Sequence, residues 1–171
     1  MQVRKTTVPK QSLLHKYMPA NYTDAFSCEF KTEKQLTPDE IMISFWSVMP
    51  PWVEALFKLR NILVKPFGLE TGQDEKNEML RECITKGTSK GMISLAGKSP
   101  EETVLLLSDK HLNAYVSVYL EEPDKDRKNV TVTTLVRFHY WLGYVYFYTI
   151  CPFHHLVVRS VLKSTIKRLI S

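Results

Sequence analysis

LGYVYFYTICPFHHLVVRSVLKSTIKRLIS, residues Leu142 to Ser171, is the stretch on which the fold turns. Set on a helix, Leu142, Val145, Tyr146, Ile150, Phe153, Leu156, Val157 and Val161 fall on one broad side. His155, Arg159, Lys163 and Lys167 follow at intervals of four on another. This is the pattern of an amphipathic helix of about 25–29 residues. Pro152 lies inside it, where its ring displaces the hydrogen bond to the carbonyl four residues back and predicts a kink. The cations gather towards the C-terminal end, which the helix dipole favours.

Working back from that helix, the period changes from about four to two. "GMISLAG", "EETVLLLSD", "HLNAYVSVYLEE" and "NVTVTTLVRFHYW" alternate apolar and polar residues, and "EPDKDRKN" between the last two reads as a charged hairpin loop. Val116/Val118 and Val130/Val132 suit a pleated surface, so these segments predict an antiparallel meander. Further back, "LTPDEIMISFW" opens a helix at Pro38. Thr37 caps it, Glu40 completes a capping box and Pro38 fits the first turn. Pro50 and Pro51 stop that helix, and Pro51 opens a second through "WVEALFKLRNILVK", closed by Pro66 and Gly68. Residues 70–90 read as a surface helix or loop. "DAFSCEF" puts Phe26, Cys28 and Phe30 on one face of a strand, and residues 1–23 read as irregular.

Composition narrows the classes. The chain has 171 residues, 44% apolar and 24% charged, which suits one domain (residues 1–171, with 24–171 as its core). The formal charge of +5 mildly favours anionic partners. Yet no run of five basic residues and no arginine-rich arm occurs, so nucleic acid is not an expected partner. Cys28, Cys83 and Cys151 are odd in number and far apart, which fits a reducing compartment rather than a disulfide framework. "MQVRKTTVPKQSLLHKYMP" lacks the apolar centre of a secretory signal, and a cytoplasmic location is expected.

The summed order is strand, two helices, antiparallel strands and a long terminal helix, an α+β arrangement with a curved sheet wrapped around that helix. This order resembles the START-like, helix-grip fold of the SRPBCC superfamily. Three pieces, "LRNILVKPFGL", "SDKHLNAYVSV" and "VTVTTLVRFHYWLGYVYFYTICPFHHLVV", are similar to a bacterial family of domains of unknown function, and the resemblance covers most of residues 17–165. The resemblance implies an apolar cavity between sheet and terminal helix, and ligands of the lipid, sterol or polyketide-like kind, with cyclases among the wider superfamily. It brings no catalytic residues with it.

CPFHH invites other readings. Zinc needs three or four converging ligands; Cys151 and His154 can share a helical face, but His155 points about 100° away, and no second Cys/His pair at ligand spacing occurs. No metal and no cofactor is expected. As a nucleophile, Cys151 lacks the neighbouring cation or helix N-terminus that would make a thiolate. Phe138 to Val158 gives 21 residues free of Lys, Arg, Asp and Glu, enough to span a bilayer. It also holds three histidines, four tyrosines and a proline, so stable membrane insertion is not expected.

A cavity of this kind would be lined by Trp46, Trp52, Phe57, His111, Tyr115, Tyr148, Phe153 and His154, with tyrosine and histidine as its polar handles. The expected partner is a small apolar or amphipathic molecule, and Tyr115 or Phe153 replaced by tryptophan should block its uptake; a homodimer is compatible. The alternatives are a cyclase or hydratase using Asp109 with His111 as an acid/base pair, and a protein–protein interaction module without a ligand. Asp124 to Lys128 reads as an exposed hairpin tip.

Overall fold

The computed structural model describes residues 1–48, 50–55, 76–89, 91–108 and 112–171. Six strands form one antiparallel sheet: β1 (Val3–Thr6), β2 (Tyr22–Lys31), β3 (Ile93–Lys98), β4 (Glu102–Ser108), β5 (Leu112–Glu121) and β6 (Arg127–Phe138). Their order across the sheet is β1-β2-β6-β5-β4-β3. Strands β3 to β6 are the expected meander, while β6 turns back to pair with β2 along ten residues, from Tyr22↔Val136 to Lys31↔Arg127.

Three helices are described: α1 (Pro38–Ser47), α2 (Lys76–Lys86) and α3 (Trp141–Ile170). Thr37 caps α1 through the Glu40 N–H, and the Glu40 side chain returns to the Thr37 N–H at 2.9 Å, so the capping box read in the sequence is present. Asp39 ties the start of α1 to the sheet by accepting from Thr103 and pairing with Lys98. Helix α2 ends at Gly87, whose φ of 65° suits glycine and lets its N–H reach the Cys83 carbonyl at 3.0 Å. Residues 51–55 are helical again, as Pro51 predicts; the remainder of the second expected helix lies outside the described residues.

All three helices lie on one face of the sheet. Period-two alternation sends Phe26, Cys28, Phe30, Val116, Val118, Leu120, Val130 and Val132 to that face. There they meet Ile41, Met42 and Phe45 of α1, Leu80, Cys83 and Ile84 of α2, and Val158, Val161, Leu162 and Ile166 of α3. Each such side chain contributes about 1.5–3 kcal/mol by leaving water. Beneath the C-terminal half of α3, sheet and helix are therefore in direct contact.

Helix α3 runs unbroken through Pro152, and only part of the side that the apolar spacing predicts is buried: Val161 is, and Val157 packs on the core. Phe147, Val158, Leu162 and Ile166 face inward, whereas Val145, Phe153 and Leu156 are 50–58% exposed. Apolar residues surround the first half of this helix, so their count alone could not select a face. The sheet selects it, through the β-branched and aromatic side chains it presents.

The other face of the sheet is covered by a part of the chain expected to be irregular. A 3-10 turn, Leu13–Tyr17, occupies it, while β1 extends the sheet beside β2 and turns Val3 to the helix-covered face. Leu14 is fully buried against Val104, Tyr115 and Leu135. Tyr17 stacks on Tyr115 with ring centroids 4.2 Å apart and donates to the Ala96 carbonyl at 2.8 Å. Glu102, also fully buried, accepts from the Ser12 hydroxyl at 2.6 Å, from Ser117 and from the Leu13 N–H. At the β5–β6 hairpin, Asp124 pairs with Arg127 at 2.7 Å as an exposed tip would. Lys128 departs from that reading: it is 1% exposed, lies within β6 and pairs with Glu122.

Candidate functional site

The alternation that places Phe26 and Cys28 under α3 also places Asp24 and Tyr22 there. Asp24 is 4% exposed. A bare carboxylate at that depth would carry a desolvation cost of several kcal/mol, and three neighbours offset it. His154 Nε2 stands 3.3 Å from Asp24 Oδ2, at ion-pair distance, and His155 Nε2 stands 3.4 Å from the same oxygen. The Tyr22 hydroxyl donates to that oxygen at 2.6 Å and lies 2.7 Å from His155 Nε2. The proton arrangement that satisfies both contacts of Tyr22 has His155 Nε2–H donating to the phenol oxygen.

Adjacent helical residues project about 100° apart, which sets His155 off from the face shared by Cys151 and His154, yet both imidazoles reach one carboxylate. They converge because Asp24 sits beneath the helix between them, and each imidazole reaches inward from its own side. Cys151, one turn earlier, is within hydrogen-bonding reach of Tyr22. The two imidazoles close on one carboxylate oxygen, and among the described residues no group of His, Cys, Asp and Glu is arranged to hold a metal ion.

Electrostatics follow the geometry. Burial pushes the Asp24 carboxyl up, but the pairing with His154, the Tyr22 hydrogen bond and the nearby His155 outweigh it and hold Asp24 below the usual carboxylate range. Burial, then the hydrogen bonds with Asp24 and Cys151, push the Tyr22 phenol well above its ordinary value. The second Asp24 oxygen, Oδ1, is buried and has no partner among the described residues. Buried acceptors are seldom left so.

Rings enclose this group. Phe147 packs on Tyr22 with centroids 4.5 Å apart, 6.1 Å from His154 and 5.5 Å from Phe138; Phe26 meets His155 at 5.7 Å. Tyr148 stands 6.4 Å from Phe138 at the rim and is 54% exposed. Asn21 fixes the entry to α3 by accepting from the Phe138 N–H and donating to the Tyr144 hydroxyl, both at 2.8 Å.

Of the residues expected to line one cavity, His154 lies in the cluster and Tyr148 at its rim, each meeting Phe147. Trp46 packs against the core beside Phe45, and Trp52 and Phe153 are exposed on the outer surface. Tyr115 is on the opposite face of the sheet, stacked on Tyr17, which removes the ground for expecting its replacement to block a space under α3. Phe57 and His111, with Asp109, lie outside the described residues. An open concavity of about 1210 Å³ also exists away from α3, lined by polar groups such as Arg4, Glu29 and Arg127 and by apolar ones such as Phe30, Leu36 and Leu120. Among the described residues, no helix is long and apolar enough to cross a membrane.

Tyr22 and Asp24 escaped the sequence reading although a signal existed. Carrying the alternation of Phe26, Cys28 and Phe30 two and four residues back reaches both. An aspartate in register with a buried face is itself a mark of a polar site.

The chain belongs to the family described as protein of unknown function (DUF2867), whose model matches residues 17–161. No curated protein and no solved structure matches it.

Proposed function

We propose that this chain is a cytoplasmic one-domain protein that binds a small amphipathic molecule at the Asp24–His154–His155 cluster, on a START-like helix-grip frame. The frame is supported by the antiparallel sheet with a long C-terminal helix over one face. The compartment is supported by three free, widely separated cysteines.

One observation carries the binding reading: Asp24 Oδ1, buried and without a partner among the described residues, with Phe138 and Tyr148 joined to the cluster through Phe147. That oxygen accepts a hydrogen bond, so the ligand's polar head is a donor, a hydroxyl or an ammonium group. Its apolar body lies against Phe138 and Tyr148 and contributes about 25 cal/mol per Å² removed from water, before ordering costs.

A head-group series tests this. Dodecanol, dodecylamine and dodecanoate share a chain and differ in what the head can donate. Titrated against the protein and followed by intrinsic fluorescence, the alcohol or the amine should bind more tightly than the carboxylate. Asp24→Asn should erase the difference, and Tyr115→Phe, on the far face, should keep it. Equal binding of all three probes, or a preference untouched by Asp24→Asn, would sink the reading.

Acid–base catalysis of the cyclase or hydratase kind is the second reading. It is favoured by the hydrogen-bonded run from His155 through Tyr22 to Asp24, along which a proton can pass.

A further inference from the structure

The outward side of α3 lies away from the core, although Tyr148 on it also stands at the rim of the histidine cluster and Arg159 donates to the Val3 carbonyl at 3.2 Å. Trp141 is 70% exposed, Tyr148 54% and Leu156 58%. The same side of the helix continues with Arg159, Lys163 and Lys167, all exposed. At 100° per residue these six positions fall within an arc of about 100°. The apolar block runs for about 22 Å and the basic block for about 12 Å beyond it, at 1.5 Å per residue. Over its 30 residues α3 contains no aspartate or glutamate.

We propose that this face lays the protein flat on an anionic lipid surface. An exposed tryptophan and tyrosine with a leucine suit the boundary between headgroups and acyl chains, where a ring can be wetted at one end. The basic block in line with them meets anionic headgroups, and the long stems of Lys163 and Lys167 let their ammonium groups reach outward from that plane. The formal charge of +5 works in the same direction. No described helix is apolar enough to cross a bilayer, so the contact is one of lying on the surface. A second copy of the chain fits this face less well. Paired in parallel, the two basic blocks repel; paired antiparallel, each set of cations is buried against the other's aromatic block. The proposal shares Tyr148 with the ligand reading but is tested apart from it, through Trp141, Leu156, Lys163 and Lys167, none of which belongs to the histidine cluster.

Co-sedimentation with vesicles of phosphatidylcholine, with and without phosphatidylserine, tests it on the full chain. Binding should require phosphatidylserine and should fall as salt rises, since the screening length drops from about 8 Å at physiological ionic strength to about 3 Å at 1 M. Lys163→Gln and Lys167→Gln should each weaken it roughly five-fold. In a Trp46→Phe/Trp52→Phe background, the emission of Trp141 should shift to the blue on vesicles, and Leu156→Ser should reduce binding at low salt. Trp141, Leu156, Lys163 and Lys167 are exposed, and circular dichroism of each variant, the Trp46→Phe/Trp52→Phe background included, should match that of the unmodified chain. Binding indifferent to phosphatidylserine and to both lysines would overturn the proposal. So would self-association lost in Leu156→Ser without any vesicle binding, which would make this face a contact between copies.

Discussion

Tyr22 and His155 stand 133 positions apart in the chain and meet at 2.7 Å, one on the second strand of the sheet and the other on the terminal helix. Their contact joins a strand edge to a helix through a single phenol, and the phenol in turn holds Asp24. Titration of this group therefore reports on the packing of α3 against β2.

The Asp24 carboxyl is held below its unfolded value. Its contribution to stability is thus fully present above the unfolded value, near pH 4, and is lost as pH falls through the folded one. Asp24→Asn should cost about 1–3 kcal/mol at neutral pH and should flatten the acid limb. Urea midpoints measured across that limb for both proteins check this. An unchanged acid limb in the variant would remove Asp24 from the account.

Tyr22 has the opposite sign. Its folded value is raised, so the folded state keeps the proton while the unfolded chain releases it, and stability declines as pH climbs above about 10. Tyr22→Phe should reduce that alkaline decline. A residual slope should remain, because burial also raises Tyr17 and Tyr119. Phenolate absorbance should show that not all eight tyrosines ionise before the wild-type chain unfolds.

On the far face, Glu102→Ala would leave the Ser12 and Ser117 hydroxyls and the Leu13 N–H without their acceptor. An expected cost of about 2–4 kcal/mol follows from burying unpaired donors. Hydrogen exchange should locate the loss in residues 10–20, with α1 and the C-terminal half of α3 still protected. Uniform loss across the chain would mean that the N-terminal segment is no separate layer.

Two leucines on one helix distinguish its sides. Leu162 is fully buried and Leu156 is 58% exposed. Leu162→Ala should destabilise by about 2–5 kcal/mol, whereas Leu156→Ala should stay within about 0.5 kcal/mol. Denaturant unfolding of the pair decides between the side the structure buries and the side the apolar spacing picks.

Much of the architecture was legible because local chemistry and tertiary need agreed. Thr37, Pro38 and Glu40 specify a helix start by hydrogen bonds available within four residues. Val116, Val118, Val130 and Val132 specify a sheet face by simple alternation. What was not legible depends on partners far away in the chain. β1 offers one buried residue, Val3, among three exposed ones and gains its place only by pairing with β2. Phe153 and Phe147 look alike in composition, and only the position of the sheet sends one out and the other in. The cluster was half visible: His154 stood out as a histidine in an apolar run, while the carboxylate it needs lay on a strand 130 positions earlier.

The place of β6 between β2 and β5 has a consequence for how this chain is made. β2 is synthesised long before its main neighbour on one side, β6, which ends at Phe138. Until the ribosome has delivered β6 and then α3, Phe26, Cys28 and Phe30 have only the four residues of β1 to pair with, and of the helices that share their core only the two shorter ones are present. Pairings this distant form slowly and leave apolar strand exposed while they wait. The closing step of folding is the insertion of one late strand into a slot whose two walls were built far apart in time, and conditions that slow it should send the nascent chain into aggregates before they unfold the finished protein.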